Sequence, residues 1–451
     1  MTSKVVSVVL ADRERTGLGP LTETCCKSVT QFAGSHRLID FALSNLIQAG
    51  VKRNLVLTRF HCAALNTHIE QAWQNYQARI EVLEPTYPQT TYPQTRLLPA
   101  LEQNWTDVLL QNLDSINHPT DEHVLLVGGE QIHRNYIASL LQYHQIQKAE
   151  LTLVVVQVPI EQASKYHVVE LDAQRQVVSI QHQPEHPAEI PNKPGFAMVL
   201  TENYLFQRPV LVKGLFTNAK KLDGQHDLTK DIVGLMARRV KVELFDLGAL
   251  YSEQTPMYWH GLNNVDDYWR AQMMLLTENH RLKKSQSEPL LSEKAQSDRP
   301  CQRNEIDGIK VRIKDSYIAS GCNIEGACSI RSVIGVDCDL GRNSILHEAV
   351  LMGRCQVGAN SRITRAIIEE DVHIAPGTVI GEKPEKDSEQ FFITEGGLVV
   401  IPRGSRVGFE SELAPLHENY PKALQPTLSN KGMVVSKEGS TKRQFVVYSN
   451  L

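Results

Sequence analysis

The chain is short of cysteine, of net charge and of long apolar runs, and each deficit removes a class of function. Eight cysteines in 451 residues are scattered without a paired CxxC ladder or companion histidines, so neither a disulfide scaffold nor a zinc site is expected. Cys25-Cys26 and the four cysteines Cys322, Cys328, Cys338 and Cys355, which fall in a repetitive segment, read as reduced structural thiols. Forty-seven Lys and Arg against 51 Asp and Glu leave a formal charge of -4, which supplies no basic field for nucleic acid or an anionic membrane. Apolar runs end at about six to eight residues, too short to span a bilayer. The N-terminus lacks the basic, apolar and small-residue succession of a signal peptide, so a cytoplasmic location is expected. No G-x-S-x-G nucleophile pattern occurs. Of the 16 histidines, His133, His144, His167, His182, His186 and His260 lie in unrelated segments without a paired carboxylate, and no acid-base role is assigned to them.

What is present is alternation. Val5-Val6-Ser7-Val8-Val9-Leu10 is a β-branched run ending at a loop, and residues 38–47 have helical spacing before Gly50 stops them. Strands at 54–58, 123–127 and 151–156 are nearly continuous in apolar residues, which indicates a buried, mostly parallel sheet in a doubly wound α/β domain over residues 1–282. Residues 283–307 are polar and charged and read as a linker.

Beyond it the period changes to six. Ile318, Ile324 and Ile330, then Ile334-Gly335, Leu340-Gly341, Val357-Gly358, Ile363, Ile368 and Ile380-Gly381 repeat an apolar residue often followed by glycine. This is the hexapeptide signature of a left-handed parallel β-helix, placed at 308–411. Residues 412–451 lack periodicity and read as an irregular tail, in which Val446-Val447-Tyr448 could add one strand. A tandem Thr-Tyr-Pro-Gln-Thr over residues 86–95 has a proline every five residues, which forbids a helix.

Leu10-Ala11 with Thr22, Lys27, Phe32, Gly34 and the run Arg37 to Asn45 resembles the glucose-1-phosphate adenylyltransferase family. The likeness continues through residues 65–69, 159–164, 226–231, Tyr258-Trp259 and 268–271, and covers the β-helix to about residue 402. The resemblance implies a nucleotidyltransferase-like domain followed by a left-handed β-helix. It further implies a reaction in which the phosphate of glucose 1-phosphate attacks the α-phosphorus of ATP and releases pyrophosphate, with Mg2+ gripped by two aspartates. Charge neutralisation and positioning carry such a reaction.

The resemblance breaks where chemistry is expected. The family's GGRGTR phosphate loop aligns to Asp12-Arg13-Glu14-Arg15-Thr16-Gly17, which has lost its glycines and gained two acids. Such a loop turns backbone N-H groups inward and depends on glycine for it. The metal-holding AGDH segment is Gly128-Gly129-Glu130-Gln131, and WRDVGT is Trp259-His260-Gly261-Leu262-Asn263-Asn264, so the second carboxylate falls on Gly261. The Glu-Lys-Pro motif, whose lysine contacts the sugar phosphate, is His182-Gln183-Pro184. The glycine that admits the sugar falls on His167, and the GTADAV helix start is Asn104 to Leu109, with bulk added by Trp105.

Lys27, Arg37, Asp107, Asp227, Lys230 and Asp231 stand where the family has them. They are residual ligand-binding candidates if functional, or caps, turn residues and ion pairs if structural; the resemblance sets Lys27 and Arg37 beside an effector site for sugar phosphates or AMP. Together these readings predict a catalytically impaired, regulatory subunit of glycogen biosynthesis, in a homo- or hetero-tetramer with an active relative. Three alternatives stay open. One is an active enzyme using Mg2+ and ATP, with Glu130 and Asp107 or Asp231 on the metal and Arg13 and Arg15 on phosphate. The others are a non-catalytic sugar-phosphate or nucleotide sensor, and a hexapeptide acyltransferase using His347 or His373.

Overall fold

The computed structural model describes residues 4–11, 17–22, 25–59, 62–76, 78–84, 104–133, 136–220, 227–250, 259–282 and 299–409. The phosphate-loop residues Asp12 to Thr16, the tandem repeat at 86–95, residues 283–298 of the linker, residues 410–411 and the tail at 412–451 lie outside these.

The first domain orders its elements as β1 (Val5–Leu10), α1 (Leu38–Gln48), β2 (Arg53–Leu57), α2 (Ala63–Trp73), β3 (Arg79–Leu83), α3 (Trp105–Gln111), β4 (His123–Gly128), α4 (Ile137–Gln147), β5 (Leu151–Pro159), β6 (His167–Leu171), β7 (Val177–His182), β8 (Phe196–Gln207), α5 (Arg208–Ala219), β9 (Val242–Asp246) and α6 (Val265–Leu282). One sheet runs β7-β6-β8-β4-β1-β2-β3, with β5 paired to β8 and β9. β4-β1-β2-β3 is a parallel block, whereas β8 is antiparallel to both β4 and β5. β1 is covered on both faces: Val5 and Val9 join one apolar cluster, Val6, Val8 and Leu10 the other. Its buried Ser7 hydroxyl is satisfied by Asn54 Oδ1 at 2.7 Å. A continuous β-branched run is what a doubly covered strand requires. β1 has neighbours on either side whose chain connections diverge, so the crevice beyond Leu10 and Gly128 is a topological switch point, where α/β sheets bind ligands.

The second domain is the left-handed β-helix of hexapeptide repeats, its strands stacked in three sheets that are parallel apart from the antiparallel pairing of Phe392–Ile393 with Val399–Ile401. Strands such as Asn323–Glu325, Cys328–Ile330 and Val333–Ile334 make successive sides of one coil, and partners recur 16 or 17 residues on. The Ile-Gly dipeptides have a packing cause. A Cβ on Gly335 would lie 2.2 Å from Met352 O of the next coil, and one on Gly358 2.4 Å from Pro376 N. Gln302–Asn304, within the segment read as linker, pairs in parallel with Asn323–Glu325, so the first coil begins before residue 308. Among the described residues no helix is long and apolar enough to cross a membrane.

α6 joins the two domains. Phe32 is fully buried edge-on to Phe41 and Tyr268, at ring separations of 5.5 and 5.8 Å. The cluster continues through Leu262 and Val265 into Val333, Val350, Ile367 and Val400 of the β-helix. Polar groups follow the same seam: the Tyr268 hydroxyl donates to Gln31 O, Trp269 Nε1 donates to Glu348 O at 2.9 Å, and Thr394 Oγ1 donates to Asp266 Oδ1 at 2.9 Å. Arg37 Nη1 meets Glu370 Oε1 across it at 2.9 Å, and Arg354 and Arg403 flank the same carboxylate.

Phe32→Ala removes a ring from the centre of this seam and is expected to cost about 3–5 kcal/mol. A shift of the chemical-denaturation midpoint reads the loss; a change below about 1 kcal/mol would remove the seam from the account. Burial raises the Glu370 carboxyl, but Arg37, Arg354 and Arg403 outweigh it and hold the group below its ordinary value. A depressed carboxylate stabilises the fold above its unfolded pKa of about 4.3 and loses that contribution as pH falls through the lower folded value. Glu370→Gln should therefore lower the unfolding midpoint at pH 7 and do little at a pH below the folded value, whereas an equal loss at both would contradict the assignment.

Candidate functional site

A cavity of about 820 Å³ opens at the carboxyl ends of β1 and β4. Of the residues singled out from sequence, Gly17, Lys27, Glu130, Gln183, Asp227 and Gly261 line it, whereas Arg37, Asp107, Lys230 and Asp231 do not. Asp12 and Arg13 lie outside the described residues.

Glu130 follows β4, where the turn at Gly128-Gly129 passes close to β1; a Cβ on Gly129 would stand 3.2 Å from Leu10 O. Behind the turn a buried amide network fixes it. Asn203 Oδ1 accepts from Gly128 N at 2.9 Å, Asn203 Nδ2 donates to Gln131 Oε1 at 3.1 Å, and Gln131 Nε2 donates to Thr201 O. Glu130, 5% exposed, reaches Lys27 Nζ at 3.0 Å. The carboxylate aligned with a metal ligand is thus neutralised by a lysine of the same chain.

The resemblance sets the second carboxylate at Gly261. A Cβ there would meet Tyr166 Cε1 at 3.1 Å and the Trp259 ring at 3.7 Å. Tyr166 and Trp259 lie 5.5 Å apart, so two rings border the space an aspartate would need. Gly17 takes a φ of +119°, and a Cβ on it would fall 2.5 Å from Asn263 O. The end of the phosphate loop therefore rests directly on the segment that carries Gly261.

The sugar-side hairpin brings together histidines that sequence spacing keeps apart. The antiparallel register of β6 and β7 sets His182 opposite His167, and their Nδ1 atoms stand 3.2 Å apart. Glu202 Oε1 lies 3.4 Å from His167 Nε2, from a backbone with φ of +63° at an irregularity in β8. Only the strand pairing reveals this group. The sequence reading also missed Arg59, a buried cation in the cavity wall that sits over the Trp105 ring at 5.5 Å. An Arg two residues past a strand was the available signal, and the added Trp105 supplies its platform.

The remaining polar positions have structural partners. Asp227 Oδ1 accepts from Lys230 N at 2.7 Å, and Asp227 N donates to Asp231 Oδ2 at 3.0 Å, a reciprocal cap on the helical turn Leu228–Val233. Arg37 belongs to the domain seam. Lys27 and Arg37 pair with different carboxylates, Glu130 and Glu370.

Mg2+ would need oxygen ligands at near-octahedral geometry, and in this cavity Glu130 is the carboxylate at an aligned metal position. Its pairing with Lys27 and the absence of a side chain at Gly261 do not fit the two-carboxylate grip. Lys27→Met would leave Glu130 buried without this cation, at an expected cost of about 3–5 kcal/mol, while Lys27→Met with Glu130→Leu should recover most of it. A double-mutant cycle by denaturation reads the coupling; additive losses would mean that the pair carries no net interaction.

Residues 6–278 match the family profile described as nucleotidyl transferase, and residues 302–401 match that of the GlmU-like C-terminal hexapeptide. The chain is similar to the glucose-1-phosphate adenylyltransferase of Photobacterium profundum, 32% identical over 90% of this chain and 99% of that protein. It is 33% identical over the same shares to glucose-1-phosphate adenylyltransferase 1 of Vibrio cholerae. The glucose-1-phosphate adenylyltransferase of an Anaeromyxobacter strain is 28% identical, again over 90% and 99%.

Proposed function

Because the chain belongs to the glucose-1-phosphate adenylyltransferase family, we propose that it is a catalytically impaired member that assembles with an active relative and modulates ADP-glucose synthesis in glycogen formation, acting in the cytoplasm. One observation carries the reading: Gly261 stands where the second metal-holding carboxylate aligns, and the Tyr166 and Trp259 rings border the space beside it. Glu130, tied to Lys27, and the neutral amide of Gln183 point the same way.

Phosphoryl and nucleotidyl transfer rest on electrostatic preorganisation, because the protein does little covalent work. A site with its metal grip replaced loses the term that matters most, whatever its framework. The framework itself is kept. Both domains and the seam between them are built from packed apolar residues, as a subunit retained for assembly requires.

Cations Lys27, Arg59 and Lys165 still line the cavity. They favour a second reading, in which a sugar phosphate or AMP binds without reacting and the chain serves as the sensor of a mixed tetramer.

Purified chain given ATP, Mg2+ and glucose 1-phosphate should release pyrophosphate at least about 10²–10³-fold more slowly than an active relative, the range for loss of one electrostatic stabiliser. Turnover matching the relative would overturn the reading. Co-purification with the active relative, and a change in that partner's kinetics, tests the modulatory half.

A further inference from the structure

We propose that Cys26 and Cys62 form a reversible intramolecular disulfide when the chain meets a hydroperoxide, and that the bond tethers the segment carrying Lys27 to the start of α2. This goes beyond the functional reading above and stands or falls without it.

The two sulfurs are 2.9 Å apart, although 36 positions separate the residues in sequence. A disulfide needs about 2.05 Å, so closure asks for a movement of under about 1 Å. Each residue keeps 9% of its surface exposed, enough for a small oxidant to reach an edge. Cys62 immediately precedes α2, an 11-residue helix. The Cys26 thiol and the backbone N-H groups of Cys26, Leu65 and Ala64 hold the Cys62 thiol below its ordinary value, against the upward push of burial. The thiolate is the nucleophile, so Cys62 attacks and Cys26 resolves.

The other cysteines that could compete are placed differently. Cys25, adjacent to Cys26, turns towards Leu21 O at 3.7 Å, and burial pushes its thiol up to about 11. Cys322, Cys338 and Cys355 stack inside the β-helix core, sealed from an oxidant by burial, and Cys322 and Cys355 also donate to Gly335 O and Glu369 O, each at 3.1 Å.

The chemistry balances. The Cys62 thiolate attacks one oxygen of the hydroperoxide; the S-O bond forms, the O-O bond breaks, and the leaving alkoxide takes a proton to become an alcohol, or water from hydrogen peroxide. Cys26 then attacks the sulfenic sulfur; the S-S bond forms, the S-O bond breaks, and water leaves with the Cys26 proton. Two thiols are oxidised and one peroxide is reduced. A dithiol reverses the bond by exchange. Lys27 adjoins Cys26 and its ammonium pairs with Glu130 in the cavity, so the tether acts one residue from the site.

The full chain should be treated with hydrogen peroxide, alkylated under denaturing conditions and mapped by mass spectrometry. The expected result is the loss of two of the eight alkylatable thiols and a crosslinked peptide pair carrying Cys26 and Cys62, both reversed by dithiothreitol. Cys25→Ser should keep the crosslink and Cys62→Ser should abolish it. Alkylation of both Cys26 and Cys62 after peroxide, a crosslink through Cys25 instead, or sulfinic acid at Cys62 with Cys26 still free would overturn the proposal. The wild-type map decides it even if a variant fails to fold.

Discussion

The structure depends on the seam along α6. That helix ends the first domain, yet its inward side chains Tyr268 and Met273 share one apolar cluster with Phe32 and Phe41 of the sheet domain and with Val333, Val350 and Ile367 of the β-helix. Burial of this kind contributes roughly 25 cal/mol for each Å² of apolar surface, and hydrogen bonds such as Trp269 Nε1 to Glu348 O fix its register. The segment 259–264, which borders the cavity, leads straight into α6. The site wall is therefore anchored by the contact between the domains, and Gly34, whose Cβ would collide with Tyr317 at 2.5 Å, shows how close that contact is.

Within this frame the cavity holds an ion pair of its own. A metal-assisted transferase keeps acids exposed to a cation that arrives with substrate. Here the buried acid already has its cation, Lys27, at 3.0 Å, supplied by the chain. An internal pair of this kind needs no divalent ion to offset the buried acid. Arg59 stacked on Trp105 and the His167-His182-Glu202 group give the cavity a lining of its own.

Much of the fold was legible in the residues. The run Val5 to Leu10 announced a strand covered on both faces, and the Ile-Gly spacing announced coils whose backbones touch. The start of the β-helix was read too late because Gln302–Asn304 is polar and exposed; it belongs by backbone pairing, which side-chain period does not report. Asp227 and Asp231 were visible as polar residues at a helix start, and their reciprocal capping is local enough to be guessed. The site was less legible. Arg37 reaches Glu370, more than 300 positions away, His182 faces His167 only through a hairpin register, and Cys26 meets Cys62 across two elements. Contacts of that range arise from tertiary packing, and no spacing rule carries them.

Manganese binding, followed by electron paramagnetic resonance with and without ATP on the purified chain, tests the central claim most directly, since Mn2+ takes the oxygen sites of Mg2+. The expected result is a free-ion signal that ATP reduces no further in the presence of the protein than in its absence. A stoichiometric protein-bound Mn2+-ATP signal that disappears in Glu130→Gln would contradict the account.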